Sequence, residues 1–149
     1  MSETSTQQST ERVTNKDIYE TVLKSGEIFG KLSGRDINRF KDTAVFVRKD
    51  ASSMLDVGCF CGEWLNFAVA HKPMLQRHLG IDVAANKIVE AKRRFPHLTL
   101  EAGFAEELNL AAESFDTVTC LEVLEHIPDW LPVFHSLFHL AKKQVLITV

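Results

Sequence analysis

The feature that most constrains this chain is an alternation, from Ser53 onward, of short apolar runs and amphipathic segments. "SMLDV" (53–57), "HLGIDV" (78–83), "LTLEA" (98–102), "SFDTVTCL" (114–121) and "QVLITV" (144–149) read as strands. Between them, residues 63–71, 84–95 and 129–141 read as helices. Strand–helix repetition requires crossover connections, and hence a mostly parallel, doubly wound sheet with helices on both faces. The apolar, β-branched character of "VLITV" suits a strand covered on both sides. Expected inward positions are Ile88, Ala91 and Phe95 on one helix, and Trp130, Val133, Phe134, Leu137 and Phe138 on another.

The residues before Ser53 follow a different grammar. "MSETSTQQSTERVT" is polar and low in complexity, and reads as a flexible leader over 1–14. Thr14 and Asn15 then offer N-caps, with Asp17 and Glu20 in the first turn, Ile18 and Val22 on one face, and Gly26 as a stop. A second helix is expected after "SGRD", carrying Ile37, Phe40, Ala44 and Val47 at helical spacing. The expected organisation is a helical extension over 15–50 and an α/β domain over 51–149.

In such sheets, ligands bind outside the carboxyl ends of the strands, near the point where strand order reverses. The first strand ends there in "LDVGCFCG". Gly58 and Gly62 remove the Cβ atoms that would hold a ligand off the backbone, and the next helix turns its positive end toward the loop. Asp82 closes the second strand twenty residues beyond Gly62, the spacing at which a carboxylate reaches ribose hydroxyls. A tight structural corner that binds nothing is the alternative. A nicotinamide site would want G-x-G-x-x-G, and the register here is different. Asp56, a second carboxylate beside the loop, opposes a pyrophosphate and suits a cationic ligand.

With these stretches in view, the chain resembles the class I S-adenosylmethionine-dependent methyltransferases, in particular the small-molecule and quinone-type group. The resemblance rests on "LDVGCFCG", "GIDVAANKI", "AEELNLAAESFDTVTCLEVLEHIPD" and "VLITV", which together cover about residues 53–149. It implies a Rossmann-like fold, with S-adenosylmethionine lying across the first and fourth strands. It places Asp56 and the backbone of Gly58, Cys59 and Phe60, with Gly62, at the methionine end. Asp82 would take the ribose hydroxyls and Val83 would pack on the adenine. Ala105 and Glu106 would line the adenine edge, and Leu121 and Glu122 would lie near the acceptor.

Three features depart from the family pattern. Phe60 stands at a customary glycine, where a positive φ would cost about 1–2 kcal/mol; a core aromatic filling the corner is the other reading. Phe104 replaces an aspartate that binds the adenine amino group, a loss of about 1–3 kcal/mol that stacking on the purine would partly offset. The family's sheet continues with two further strands, so the C-terminal strands are expected to be missing. A truncated chain, an incomplete gene product, or a homodimer through the fifth-strand edge would each account for that.

Methyl transfer needs donor and acceptor held in line, and a base only where the acceptor must lose a proton. Glu122 and His126 are the candidates for that role; four residues apart, they would share a face on a helical turn. Capping or packing is the alternative for His126, and cofactor contact for Glu122. His135 and His139 could be drawn as a metal pair, but no third ligand is evident and no metal is expected. Cys59 and Cys61 sit where a helix N-terminus lowers thiol pKa in principle, but small residues are wanted there anyway. Tyr19 would lie on the N-terminal helix.

Composition narrows the classes. Net charge is −3 and the densest basic run is "KRR" at 92–94, so nucleic acid is not expected as a partner. A small-molecule or lipid-like acceptor is. Three cysteines are too few for a disulfide framework and fit a reducing compartment. No apolar run approaches membrane-spanning length, and a cytoplasmic location is expected. The expected function is methyl transfer from S-adenosylmethionine, with a non-catalytic, methyltransferase-like binding or partner module as the alternative.

Overall fold

The computed structural model describes residues 34–149. The leader, the helix expected after Thr14, and Tyr19 lie outside the described residues. The elements run α1 (Gly34–Phe46), β1 (Ser53–Val57), α2 (Glu63–His71), β2 (Arg77–Asp82), α3 (Ala85–Arg94), β3 (Leu100–Ala102), β4 (Phe115–Leu121), α4 (Trp130–Leu140) and β5 (Ala141–Thr148). Short 3-10 turns follow β3 (Ala105–Glu107) and β4 (Leu124–His126). The strands form one sheet in the order β3-β2-β1-β4-β5, with every pairing parallel. The order reverses at β1, which pairs with β2 on one side and β4 on the other. This is the doubly wound sheet expected from the sequence.

Strand side chains alternate between the two faces, so neighbours in β1 feed different cores. Met54 joins a cluster with Phe40 and Ala44 of α1, Trp64, Leu65 and Ala68 of α2, and Ile88 and Ala91 of α3. Leu55 and Val57 join the opposite cluster with Leu79, Ile81, Val118 and Cys120 of the sheet and Val133, Leu137 and Leu140 of α4. α1 is part of the first core: the Phe40 and Trp64 rings lie 5.6 Å apart. Its C-terminal end is also tied to β5. Gln144 donates through Nε2 to the Phe46 carbonyl at 2.8 Å and accepts the Arg48 amide at 3.2 Å.

The inward sets need correction. Ile37 is 45% exposed, Trp130 46% and Phe138 54%. The buried stripe of α4 is Val133, Leu137 and Leu140, one helical face of limited width. Trp130, Phe134 and Phe138 make a second row beside it, with successive ring centroids 5.6 and 4.8 Å apart. β5 begins at Ala141, before the apolar run, and Lys143 reaches back to Asp116 at 3.1 Å. Asp116 also accepts the Ser52 amide and hydroxyl at 2.8 Å each, and these donors hold its carboxyl down at about 2.

His78 on β2 pairs in register with Met54, and both its ring nitrogens are buried with no hydrogen-bond partner among the described residues. Replacing the imidazole by an apolar ring of similar size removes that desolvation penalty. His78→Phe is expected to raise the unfolding free energy by about 1–2 kcal/mol in urea denaturation. Unchanged or lower stability would show that a partner satisfies the imidazole in solution.

Candidate functional site: the corner after β1

The chain leaves β1 through Gly58, at φ +74. A Cβ there would lie 2.3 Å from Val123 Cγ2, so the position is closed to side chains both by conformation and by space. The Gly58 and Cys59 amides both donate to the Ile81 carbonyl at 2.9 Å, pinning the loop to β2. Gly62, at φ +78, donates to the Cys59 carbonyl at 2.7 Å and starts α2.

Phe60 lies between them at φ +49, so the strain anticipated for a bulky residue is present. Its amide donates to Asp82 Oδ2 at 2.8 Å, and the Ala84 amide donates to Asp82 Oδ1 at 2.8 Å. These charge-assisted bonds offset the strain of the left-handed residue. The Lys87 ammonium sits 5.1 Å from the centre of the Phe60 ring.

Asp82 is pushed above the ordinary carboxylate range by burial, against the two amide donors. Asp56 is 2% exposed, and its carboxyl is raised to about 7 by burial and, more weakly, by the charge of Asp82; a hydrogen bond from Thr119 opposes the rise. The corner therefore holds two carboxyl groups that burial drives toward neutrality, and an arriving cation would stabilise their charged forms.

The other expected residues gather along the same end of the sheet. The Gly103 amide donates to the Asp82 carbonyl at 2.9 Å, which joins the end of β3 to the end of β2. Half-buried Phe104, buried Ala105 and exposed Glu106 follow directly, and Val83 is half-buried beside Asp82. Leu121 and Glu122 stand at the end of β4, on the other side of β1. Glu122 has φ +55, its amide donates to the Thr148 carbonyl at 3.0 Å, and its carboxylate pairs with Arg39 Nη1 of α1 at 3.0 Å.

The left-handed turn at Glu122 corrects one expectation. It breaks helical continuity before the 3-10 turn at Leu124–His126, so a spacing of four gives Glu122 and His126 no common helical face. His126 Nε2 lies 3.9 Å from Glu125 Oε1, with its side chain about half exposed. His135 and His139 are exposed on α4, and no group of three or more metal-ligating side chains occurs among the described residues. Cys59, Cys61 and Cys120 are free and buried. Burial pushes the Cys61 thiol up to about 11 and Cys120 to about 12, opposite to the activation a helix N-terminus can give.

Sequence reasoning missed four residues that the geometry brings in: Thr119 and Trp64 behind Asp56, Arg39 opposite Glu122, and Val123 under Gly58. A threonine at a fully buried position of β4 was a readable signal. The other three depend on long-range packing.

A family model described as "Methyltransferase domain" matches residues 55–147, from the middle of β1 to the end of the sheet. The chain belongs to this methyltransferase domain family. Among its relatives, the ubiquinone biosynthesis O-methyltransferase of Histophilus somni is 33% identical over 96 residues, covering 60% of this chain and 40% of the relative. The demethylmenaquinone methyltransferase of Alkalihalophilus pseudofirmus is 27% identical over 149 residues, covering 93% of this chain and 61% of the relative. The methyltransferase domain thus spans about half the length of these curated relatives. Among solved structures, SAM-bound CalS10, an amino pentose methyltransferase from Micromonospora echinaspora, superposes with a TM-score of 0.59 at 26% identity. That match covers 83% of this chain and 52% of the other.

The corner geometry makes Gly58 the least replaceable residue of the loop. Gly58→Ala is expected to destabilise the domain by at least about 2 kcal/mol, from the positive φ and from overlap with Val123. Adding Val123→Ala should restore the overlap part and leave the conformational part. Chemical denaturation of the two single variants and the double variant checks this, and a neutral Gly58→Ala would contradict it.

Proposed function

We propose that this domain binds S-adenosylmethionine at the corner after β1 and directs its methyl group to a small-molecule or lipid-like acceptor. The observation that carries the proposal is Asp82: the loop amides hold both its oxygens at the carboxyl edge of the sheet, and each oxygen keeps a lone pair for a ribose hydroxyl. The acidic pair Asp56 and Asp82, unsuited to a pyrophosphate, favours a cationic ligand. In this reading residues 51–149 form the cofactor-binding domain, and α1 belongs to a helical extension that supplies Arg39.

The residues would divide the work as follows. Asp82 would hold the ribose, Val83 and Phe104 would pack against the purine, and Ala105 and Glu106 would line its edge. Asp56 and the segment Gly58 to Gly62, with Cys59 and Phe60, would face the methionine end, and Leu121 and Glu122 would border the acceptor. When bound, S-adenosylmethionine supplies a methyl group on a positively charged sulfur, which the acceptor displaces in line. The protein's contribution is then alignment and exclusion of water. Glu122 is held by Arg39, so proton abstraction by Glu122 would require that pair to open; His126 is the other candidate for that step. The names of the two quinone-pathway relatives support an aromatic, lipid-tailed acceptor.

No helix among the described residues is long and apolar enough to cross a membrane. The proposed cytoplasmic location rests on the free cysteines, which suit a reducing compartment. The outer edge of β5, with Val145, Leu146 and Ile147 half-buried and Phe46 of α1 67% exposed, supports a homodimer through that strand. A second reading, a non-catalytic binding or partner module, is favoured by the strained Phe60 and by loop amides already bonded to Ile81.

Calorimetric titration tests the proposal. Saturable binding of S-adenosylmethionine and of its demethylated product, with none of NAD, is expected. Asp82→Ala should abolish it. Because that variant also loosens the loop, the 2′-deoxy form of the product gives a cleaner reading, with affinity expected to fall by about tenfold to a hundredfold. Binding without turnover of any quinol-type acceptor would support the module. No binding by a folded chain would overturn the proposed function and leave the non-catalytic partner module.

A further inference from the structure

We propose that Thr119 and Trp64 are positioning residues whose hydrogen-bond relay sets the proton on Asp56 and couples it to occupancy of the corner by a cation. The proposal rests on the reading of that corner as a site for S-adenosylmethionine. It adds two residues that bear on the ligand only through Asp56.

The relay has a direction fixed by chemistry. The Trp64 indole N–H, which is donor only, points at Thr119 Oγ1 at 3.1 Å. Thr119 must accept there, so its single hydroxyl proton goes elsewhere. Asp56 Oδ1 lies at 2.8 Å and the Leu55 carbonyl at 3.4 Å, and the shorter contact selects the carboxylate. All three side chains are buried: Trp64 is 5% exposed, Thr119 0% and Asp56 2%. Water does not compete with the relay, and each bond in it counts for more than at a surface.

Two arrangements of the same atoms follow. With Asp56 ionised, Thr119 donates to it and Trp64 donates to Thr119. With Asp56 protonated, the acid donates to Thr119, whose own proton turns to the Leu55 carbonyl at the longer distance. The relay favours the charged form, while burial and the negative charge of Asp82 on β2 favour the neutral one. The other titratable groups coupled to Asp56 are the thiols Cys59 in the loop and Cys120 on β4, both pushed up by burial. Among the described residues, no cation contributes to the balance at Asp56. An ammonium or sulfonium entering the corner would tip it.

The sign follows from the raised carboxyl. Below the titration of Asp56 the ligand must expel a proton to gain the charge, so affinity should rise with pH and level off above about 7. The window to use is pH 5.5 to about 7.5; the ligand's sulfonium is charged throughout it, and its amino group, which begins to titrate only at the upper end, is corrected for with its ordinary pKa.

The test is calorimetric titration of the protein with S-adenosylmethionine across that window, for wild type, Thr119→Val, Thr119→Ser and Trp64→Phe. In parallel, carbon-13 NMR follows the Asp56 carboxyl of the unliganded protein, assigned with Asp56→Asn. Wild-type affinity is expected to climb about tenfold per unit of pH below the midpoint. Thr119→Val should move the carboxyl midpoint upward and weaken binding at pH 7, Thr119→Ser should restore both, and Trp64→Phe should give a smaller shift in the same direction. If Thr119→Val fails to fold, Trp64→Phe against wild type carries the same comparison. Binding that persists with the midpoint unmoved in the variants overturns the relay alone. Absence of binding by folded wild type at every pH overturns the coupling together with the proposed function.

Discussion

Asp82 accepts the amide protons of Phe60 and Ala84 at 2.8 Å each, and through them one side chain joins the loop after β1 to the turn that starts α3. Its backbone is tied as well: its carbonyl accepts the Gly103 amide at 2.9 Å and so fixes the chain leaving β3. Three connections at the carboxyl edge of the sheet thus converge on one residue. A bare loop with two glycines and a phenylalanine at positive φ would have many conformations to lose on binding, and here most of that ordering is completed on folding. Each of these oxygens accepts one amide proton and retains further acceptor capacity, which is what the proposed ribose contact would use.

The sheet makes this possible by placing its reversal of order beside Asp82. β1 pairs on one flank with β2, Asp56 falling opposite Gly80, and on the other with β4, Asp56 falling opposite Thr119. The second pairing buries Asp56 against a hydroxyl rather than an apolar side chain. Burial on both faces of β1 raises the cost of charging it, and the threonine is the side chain that lowers that cost. The charge of the corner is therefore set by the balance of burial and the Asp82 charge against the Thr119 hydrogen bond.

Much of this was legible in the chain. Parallel strands covered on both faces read as near-continuous apolar runs, so β1, β2 and β4 announced themselves; β5 was read the same way, but it is an edge strand with no residue fully buried. Asp82 was found by its distance from Gly62. Boundaries and inward faces were less legible where apolar residues outnumber buried positions. Trp130 and Phe138 look like part of a core stripe but are exposed; the sheet takes the row of Val133, Leu137 and Leu140, with Phe134 half-buried against it. β5 starts early, Ala141 pairing with Phe115 and Lys143 reaching Asp116, contacts across the sheet that no local pattern records. Thr119, a polar residue inside a buried strand, was a readable signal that went unused, whereas Arg39 was hidden by its distance in sequence from Glu122. The backbone break at Glu122 was invisible because glutamate seldom adopts a positive φ, and it separated two residues that spacing alone had joined.

The central claim is that Asp82 is a preformed receptor for a ribose and that the loop it holds is the cradle. The most direct measurement is a crystal structure of the protein soaked with the demethylated product, S-adenosylhomocysteine. The account predicts both ribose hydroxyls within hydrogen-bond distance of the Asp82 carboxylate, its bonds to the Phe60 and Ala84 amides retained, and the purine resting beside Val83. A ligand bound elsewhere on the sheet, or an Asp82 that must abandon its amide partners to admit the ligand, would contradict it.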